Sequence, residues 1–236
     1  MNYQIFIDDV SCNDYDLCVA ERPLLKTPEQ DVEIREIRGR NGAFIIPFAY
    51  KNVEEEISFN FLDDSKSFKQ LFREAKRYFM NGKNLVFSDD PHVYRKIVHV
   101  SFSDAENTVL EYGFFNVIFT LDPFQYANTN IIEINKGDLL VNEGTIESQP
   151  YMKIYATGDV TLNISGNTFV FKDIDEYIEL DCENLMVYKT VNDVIATADN
   201  KMFTPDFPVL NVGENYFDWI GNIEKIEVNP YWRYVY

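Results

Sequence analysis

The sequence has few of the residues on which most catalytic and metal-binding sites depend. Among its 236 residues are two histidines, His92 and His99, and three cysteines, Cys12, Cys18 and Cys182. An odd and sparse set of cysteines does not form a disulfide framework. Cys12 and Cys18 also lack a second cysteine pair and a nearby histidine that would complete a tetrahedral zinc site. We therefore expect no metal site and expect the thiols to be buried or half-buried.

Recognisable catalytic motifs are missing as well. The chain contains no GxSxG nucleophile elbow, no GxGxxG dinucleotide-binding fingerprint and no P-loop. Neither histidine accompanies a recognisable nucleophile: His92 follows Asp-Asp-Pro in a predicted turn, and His99 lies in an alternating run. A glycosidase-type pair of carboxylates stays open as an alternative, although so acidic a chain supplies such pairs by chance. We predict that the protein is not an enzyme and binds no cofactor.

Long apolar runs and a basic N-terminal segment are also lacking. The chain begins Met1-Asn2-Tyr3-Gln4, and no stretch approaches 18 uninterrupted apolar residues. This pattern predicts neither a secretory signal nor a transmembrane helix, and hence synthesis in a cytoplasm.

Basic residues are scarce relative to acidic ones. The chain has 21 Lys and Arg against 39 Asp and Glu, which gives a net charge of −18. Residues 1–135 carry 14 basic and 22 acidic side chains (net −8), and residues 136–236 carry 7 and 17 (net −10). The acidity argues against sequence-independent binding of nucleic acid, which requires cations to neutralise phosphates. It also argues against docking on anionic membranes.

What the sequence does contain is an aromatic-rich, strand-like pattern with one clear helix. The pattern predicts a helix at about 64–80, with Asp63-Asp64-Ser65 as N-cap candidates and Asn81-Gly82 as the stop. Its apolar stripe recurs every three or four residues, as expected of a helix packed on a sheet. We interpret the opposite, basic face as solvated and keep a partner surface as the alternative; it comprises Lys66, Lys69, Arg73, Lys76 and Arg77.

Alternating residues predict strands elsewhere in the first half, at 53–61, at 94–102 and at Glu111 to Leu121. Residues 30–49 predict a hairpin whose turn is Gly39-Arg40-Asn41-Gly42, with Asn-Gly at its centre. One arm of this hairpin is highly charged. The hairpin either protrudes or lies inside the domain, and the sequence leaves both possibilities open.

The pattern changes near residue 130. Short apolar runs then alternate with turn signals, which predicts six or seven strands over about a hundred residues, as is typical of an antiparallel sandwich. Strands are predicted near 152–155, 160–164, 168–171, 177–180, 185–188 and 222–228. We place the domain boundary at about 134, so that the domains are 1–134 and 135–236.

Several blocks, most of them in the second half, carry a resemblance to a known family. They are Asn142, Gly144, Thr145, Ser148, Pro150, Gly158, Val160 and Leu162; Ile178, Asp181, Glu183 and Tyr188; Phe207-Pro208, Leu210, Gly213, Asn215, Gly221 and Pro230-Tyr231-Trp232-Arg233; and, in the first half, Gly39-Arg40-Asn41-Gly42 and Asp122-Pro123-Phe124. In order and spacing, over nearly the full length, the chain resembles the distal tail proteins of long-tailed phages with non-contractile tails, or their prophage counterparts.

The resemblance implies a mainly β architecture with one helix. The N-terminal domain would be a β-sandwich or barrel-like sheet with a helix and a projecting hairpin, and the C-terminal domain a sandwich like galectins and carbohydrate-binding modules. It further implies a virion structural protein of the tail tip or baseplate: a hexameric hub ring made in the host cytoplasm. That ring would join the tail tube protein to tail-tip or tail-fibre proteins and to receptor-binding proteins, and DNA would pass through it without specific binding.

Two sets of residues become candidate sites under this interpretation. We expect the hairpin turn to lie against a neighbouring subunit, where Arg38 and Arg40 would meet carboxylates; the interface residues are Arg38, Gly39, Arg40, Asn41 and Gly42. The alternative function is a carbohydrate-binding adhesin that recognises a bacterial surface polymer through Tyr216 and Trp219, which are predicted in or near a loop. Trp232 is predicted to pack in the core.

Overall fold

A computed structural model describes residues 3–24, 26–62, 67–103 and 114–235. The chain divides into two compact units, Met1–Tyr126 with Val235–Tyr236, and Ala127–Tyr234. The predicted boundary at 134 lies inside the second unit, because the strand Ile132–Ile134 pairs with the long strand Gly213–Asn229 of that unit. No helix in the described ranges is both long and apolar enough to cross a membrane.

The first unit is an antiparallel sheet covered on one face by a helix. Its main strands are ordered β2-β1-β7-β8-β9-β6-β3 across the sheet. The strands, with the separate pair β4 and β5, are β1 (Ile5–Ile7), β2 (Val10–Ser11), β3 (Leu17–Val19), β4 (Gln30–Glu36), β5 (Ala43–Tyr50), β6 (Val53–Phe61), β7 (Asn84–Phe87), β8 (Asp90–Phe102) and β9 (Phe114–Ala127). A short 3-10 helix spans Cys12–Tyr15. His92, predicted in a turn, lies in β8.

The predicted helix exists but begins later than expected. Helix α1 spans Phe68–Met80, and the Oε1 of Gln70 accepts hydrogen bonds from the backbone and hydroxyl of Ser67 at 3.3 and 3.1 Å. Ser67 is therefore the residue that starts the helix. The N-cap candidates Asp63-Asp64-Ser65, together with Lys66 and residues 111–113 of a predicted strand, lie outside the described residues. The helix ends at Met80 before Asn81, as predicted.

Aromatic rings dominate the core between α1 and the sheet. Phe59, Phe79, Phe115 and Phe119 are fully buried, and the Phe59 and Phe79 centroids are 5.0 Å apart. Rings at such distances and tilts add attraction beyond the area they bury.

A buried ion pair interrupts this apolar packing. Glu55 occupies a core-facing position of β6, and its Oε2 accepts a hydrogen bond from Nη1 of Arg95 at 3.0 Å. Both side chains are almost fully inaccessible to solvent. The guanidinium thus compensates a carboxylate that would otherwise be buried among hydrocarbon.

The second unit is a β-sandwich built around two long strands. Its strands are β10 (Ile132–Ile134), β11 (Leu139–Asn142), β12 (Tyr151–Ile164), β13 (Asn167–Ile174), β14 (Tyr177–Asp181), β15 (Met186–Val191), β16 (Val194–Thr197) and β17 (Gly213–Asn229), with a 3-10 helix at Asp199–Lys201. The last strand, β18 (Arg233–Val235), pairs with β9 and belongs to that sheet. One sheet is ordered β10-β17-β12-β14-β15-β16, while β11 pairs with β17 and β13 pairs with β12.

One predicted turn of the second unit is wrong. The sequence pattern separates strands at 152–155 and 160–164, with Gly158-Asp159 between them, whereas the structure has the single strand β12. The pairing register shifts around Gly158 because the strand carries a bulge there. The first half of β12 pairs with β14 and the second half with β13, so one bulged strand serves two sets of partners.

Candidate assembly surfaces

The hairpin predicted at 30–49 is present and forms a two-stranded sheet of its own. Strands β4 and β5 pair with each other and, in the described ranges, with no further strand. Such a ribbon has two open edges of backbone donors and acceptors. An isolated two-stranded hairpin is also marginally stable in water, which means that this one needs a surface against which to pack.

The base of the ribbon is anchored to its own unit. The ring of Tyr50, at the end of β5, meets the ring of Phe124 edge-on with centroids 5.5 Å apart. Close by, the backbone N–H of Lys51 donates to the carbonyl of Glu29 at 2.8 Å. The sequence pattern gave no sign of this anchor, because it depends on Phe124, which lies 74 positions after Tyr50 in the chain.

Beyond the base, the ribbon exposes large apolar side chains. Ile34 and Ile45 stand opposite each other on one face and remain 63% and 59% exposed. Val32 is also exposed on that face, opposite Pro47. The other face mixes exposed Phe44 and Phe48 with charged residues. Exposed apolar side chains gathered on one element are typical of a contact surface.

The turn at the tip contains the five predicted interface residues, and all of them are exposed. Gly39 and Gly42 have φ values of +90° and +79°, a conformation that favours glycine. The backbone N–H of Arg40 donates to the carbonyl of Ile37 at 3.1 Å, and its guanidinium lies 5.9 Å from the centroid of the Phe44 ring. The turn therefore presents Arg38 and Arg40 at the end of an apolar ribbon.

The face of β6 opposite the helix, here called the acidic face, is polar and carries two exposed carboxylates, and beside them the Nζ of Lys26 donates to the carbonyl of Glu54 at 2.6 Å. The side chains of Glu54 and Glu56 alternate with buried neighbours along β6 and are exposed. The amide of Asn116, on the adjacent strand β9, donates to Glu56 at 2.6 Å. Helix α1 covers the face of the sheet that carries Phe59, so it does not cover the face that carries Glu54 and Glu56.

The two candidate glycan contacts of the second unit do not form one site. Both lie in strand β17 rather than in a loop, which corrects the sequence-based placement. Tyr216 is 48% exposed, whereas Trp219 is 5% exposed and packs in the core. Because successive side chains of a strand alternate between its faces, residues three positions apart point to opposite sides. Trp219 thus cannot stack on a ligand, and Tyr216 is the exposed member of the pair. Trp232 lies in the core, as predicted.

Several residues that carry the resemblance fix the loops of the second unit. The Nδ2 of Asn142 donates to the carbonyls of Ile146 and Leu210 at 3.2 and 3.0 Å. Arg233 binds the carbonyl of Glu147 through Nε and Nη2 at 2.9 and 2.6 Å. A Cβ on Gly144 would lie 2.4 Å from the carbonyl oxygen of Arg233. Their roles in this structure are therefore architectural.

Two of the three cysteine thiols, Cys12 and Cys182, are buried. Burial raises the pKa of the Cys12 and Cys182 thiols, so that both are protonated at neutral pH. Among the described residues, no group of three or more His, Cys, Asp or Glu side chains could hold a metal ion.

The architecture occurs in solved structures of phage tail components. The Dit protein of phage SPP1, described as a paradigm of the hub adsorption apparatus in phages infecting Gram-positive bacteria, has a TM-score of 0.69 and 14% identity, with 97% of this chain and 98% of that chain covered. The phage P2 baseplate in its activated conformation with Ca has a TM-score of 0.53 and 12% identity, with 97% of both chains covered. The same baseplate with Sr has a TM-score of 0.52 and 13% identity, with 96% of both chains covered.

No protein-family model and no curated protein matches the sequence. The solved structures nevertheless show that the chain has the Dit hub fold along nearly its whole length, which confirms the predicted fold class. The first of these structures is of a hub adsorption protein, and the other two are of a phage baseplate.

Proposed function

We propose that this protein is a structural component of a phage tail tip, a hexameric hub ring that joins the tail tube to tail-tip, tail-fibre or receptor-binding proteins. The observation that carries the proposal is the full-length match of fold to the SPP1 Dit hub protein. Both units take part in that match, so the likeness is not limited to a common β-sandwich.

The β4–β5 ribbon is the surface that we assign to contact between subunits. A ring of identical chains requires an interface between two different patches, one on each neighbour. The ribbon supplies one patch, with exposed Ile34 and Ile45 and with open backbone edges. Full burial of an isoleucine side chain contributes about 1.5–3 kcal/mol, so this one cross-strand pair makes a substantial part of a contact. Arg38 and Arg40 at the tip would bind carboxylates of the neighbour.

The acidic face of β6 suits the wall of a channel for DNA. Carboxylates repel phosphates, so a channel lined by Glu54 and Glu56 would let DNA pass without retaining it. The net charge of −8 over residues 1–135 supports the same role. Under this proposal the sheet faces the channel and the helix lies on its far side.

Shortening the ribbon tests the assembly role. Deletion of residues 36–43 removes the turn and the two Arg side chains, and we expect the purified protein to lose ring assembly when its mass is measured by light scattering. A second variant, Ile34→Lys with Ile45→Lys, keeps the turn and replaces only exposed side chains. It is expected to dissociate the ring as well, because two buried apolar contacts become buried charges.

The matched control is Val194→Lys with Ile195→Lys, which alters two equally exposed apolar residues of the β15–β16 hairpin. This control is expected to assemble like the unaltered chain. Unchanged assembly after the deletion would remove the ribbon from the proposed interface.

A further inference from the structure

Helix α1 has two faces of contrasting character. Leu71, Ala75, Tyr78 and Phe79 are buried against the sheet. Lys69, Arg73 and Arg77 follow one another at intervals of four residues and are all exposed. Residues four apart on a helix are neighbours on its surface, so these three cations form one line, here called the basic stripe.

The basic stripe has no acidic partner in the part of the chain that the structure describes. The ion pairs found there use Arg22, Arg35, Lys51, Arg95, Lys136, Lys189 and Lys225. Lys76, which lies on the same helix, turns instead toward the aromatic rings, with its Nζ 4.7 Å from the Phe72 centroid. Cations without partners are unexpected in a chain with 39 acidic and 21 basic residues.

The stripe also works against the helix that carries it. Like charges spaced by four residues repel each other and destabilise an isolated helix. Arg77, in the last turn, gains from the helix dipole, but Lys69 and Arg73 in the first half of the helix do not. Among the described residues these three cations form no ion pair, although Glu74 lies three residues before Arg77 on the same helix, and their exposed side chains are available to carboxylates from outside.

We propose that the basic stripe docks on an acidic surface of a second copy of this chain. Charge complementarity carries the choice of occupant, because each copy has a net charge of −18 and presents an excess of carboxylates. Duplex DNA would be a poorer occupant, since the rest of so acidic a chain repels phosphates. The inference rests on the proposed function, in which several copies assemble, and it assigns a second contact that is separate from the β4–β5 ribbon.

The first test measures self-association of the full chain by analytical ultracentrifugation. The charge reversal Lys69→Glu, Arg73→Glu and Arg77→Glu is expected to raise the dissociation constant at least tenfold at low salt. The matched control, Lys69→Arg, Arg73→Lys and Arg77→Lys, keeps every charge and is expected to stay within twofold of the unaltered chain. Because screening weakens ion pairs at a surface, high salt should shrink the difference between the two variants. Equal association of both variants at low salt would overturn the proposal.

The second test locates the contact. Unlabelled and ¹⁵N-labelled chains are mixed, assembled and joined with a zero-length carbodiimide reagent, which links an amine to a carboxylate in direct contact. The unaltered chain has an amine at Lys69, and the charge-preserving control has amines at positions 73 and 77. Mixed-isotope crosslinks between these lysines and Asp or Glu residues are expected, and their absence from an assembled sample would overturn the proposal.

Two further outcomes separate this inference from the proposed function. If the unaltered chain stays monomeric at every concentration, both the proposed hub function and the proposed contact of the basic stripe are wrong. If it assembles while the stripe crosslinks to nothing and instead retains duplex DNA in a gel shift, the inference alone is overturned. Circular dichroism of each variant checks that α1 remains folded.

Discussion

At the scale of single residues, the buried pair of Glu55 and Arg95 makes the first unit sensitive to substitution of either partner. Burial raises the pKa of Glu55, while the charges of Arg95 and Lys26 oppose that rise. Removal of one partner from such a pair leaves an uncompensated charge in the core, which typically costs 3–5 kcal/mol.

Arg95→Met is therefore expected to destabilise the first unit by about 3–5 kcal/mol at pH 7. A carboxyl whose pKa is raised in the folded state contributes stability below its unfolded pKa and loses that contribution as pH rises through the folded pKa. Without Arg95 the pKa of Glu55 rises further, so part of the loss should be recovered on acidification to about pH 5. Urea unfolding followed by circular dichroism at both pH values measures this.

The double variant Glu55→Leu with Arg95→Met is the matched control. It replaces both charges with apolar groups and is expected to unfold close to the unaltered chain, since buried pairs are often replaced at no net cost. Both tryptophans lie in the second unit, so their fluorescence reports whether that unit is unaffected. Equal stability of Arg95→Met at pH 7 would contradict the assigned role of the pair.

Strand alternation along β6 puts Glu55 on the same face as Ile57 and Phe59, but the sequence alone could not show what compensates its charge. Arg95 is 40 residues away, and its partnership depends on how β8 and β6 are placed in the sheet. The same reason explains the misplacement of Trp219. Its position on the inner face of β17 follows from strand parity, which could be applied only once the strand was known to extend over Gly213–Asn229.

At the scale of elements, the bulge shared by β12 and β17 depends on glycine. Gly221 has a φ of +102°, and a Cβ there would lie 2.6 Å from the carbonyl oxygen of Asp159 and 3.0 Å from the Cα of Val160. Gly158, on the opposing strand, has a φ of +76° but has open space around it. The two positions therefore separate steric clash from backbone strain.

Gly221→Ala is expected to destabilise the second unit by about 2–4 kcal/mol, because it adds a backbone clash to the strain of a positive φ. Gly158→Ala should cost only about 1–2 kcal/mol, the strain alone. Tryptophan fluorescence during urea unfolding reports on this unit, where Trp219 packs in the core. Equal effects of the two substitutions would rule out the clash as the cause.

Elements with a strong periodic signal were predictable, and elements that depend on tertiary contacts were not. The apolar periodicity of α1 and the Asn-Gly turn of the β4–β5 ribbon are local signals in the sequence, and both elements are present in the structure. Gly158-Asp159 looks like a turn because glycine favours turns and bulges alike. Only the pairing of β12 with β17 decides between the two possibilities.

At the scale of the whole molecule, the fold could be predicted because the turn and strand blocks resemble those of the distal tail proteins in order and spacing over nearly the full length of the chain. The solved hub and baseplate structures share that fold at 12–14% identity. Assembly surfaces were harder to predict, since exposure of Ile34 or Lys69 depends on which neighbours the fold provides. Taken alone, the net charge of −18 argues only against nucleic acid and anionic membranes as binding partners. The placement of Glu54 and Glu56 on the exposed face of β6 adds a proposed role for the acidity, as the wall of a DNA channel.

The most direct test of the proposed hub is electron cryomicroscopy of the purified, assembled chain. We predict a closed ring of six copies whose channel is lined by Glu54 and Glu56 on the exposed face of β6, with the β4–β5 ribbon against a neighbouring copy. A protein that stays monomeric at high concentration, or a ring whose channel is neutral or basic, would contradict the account.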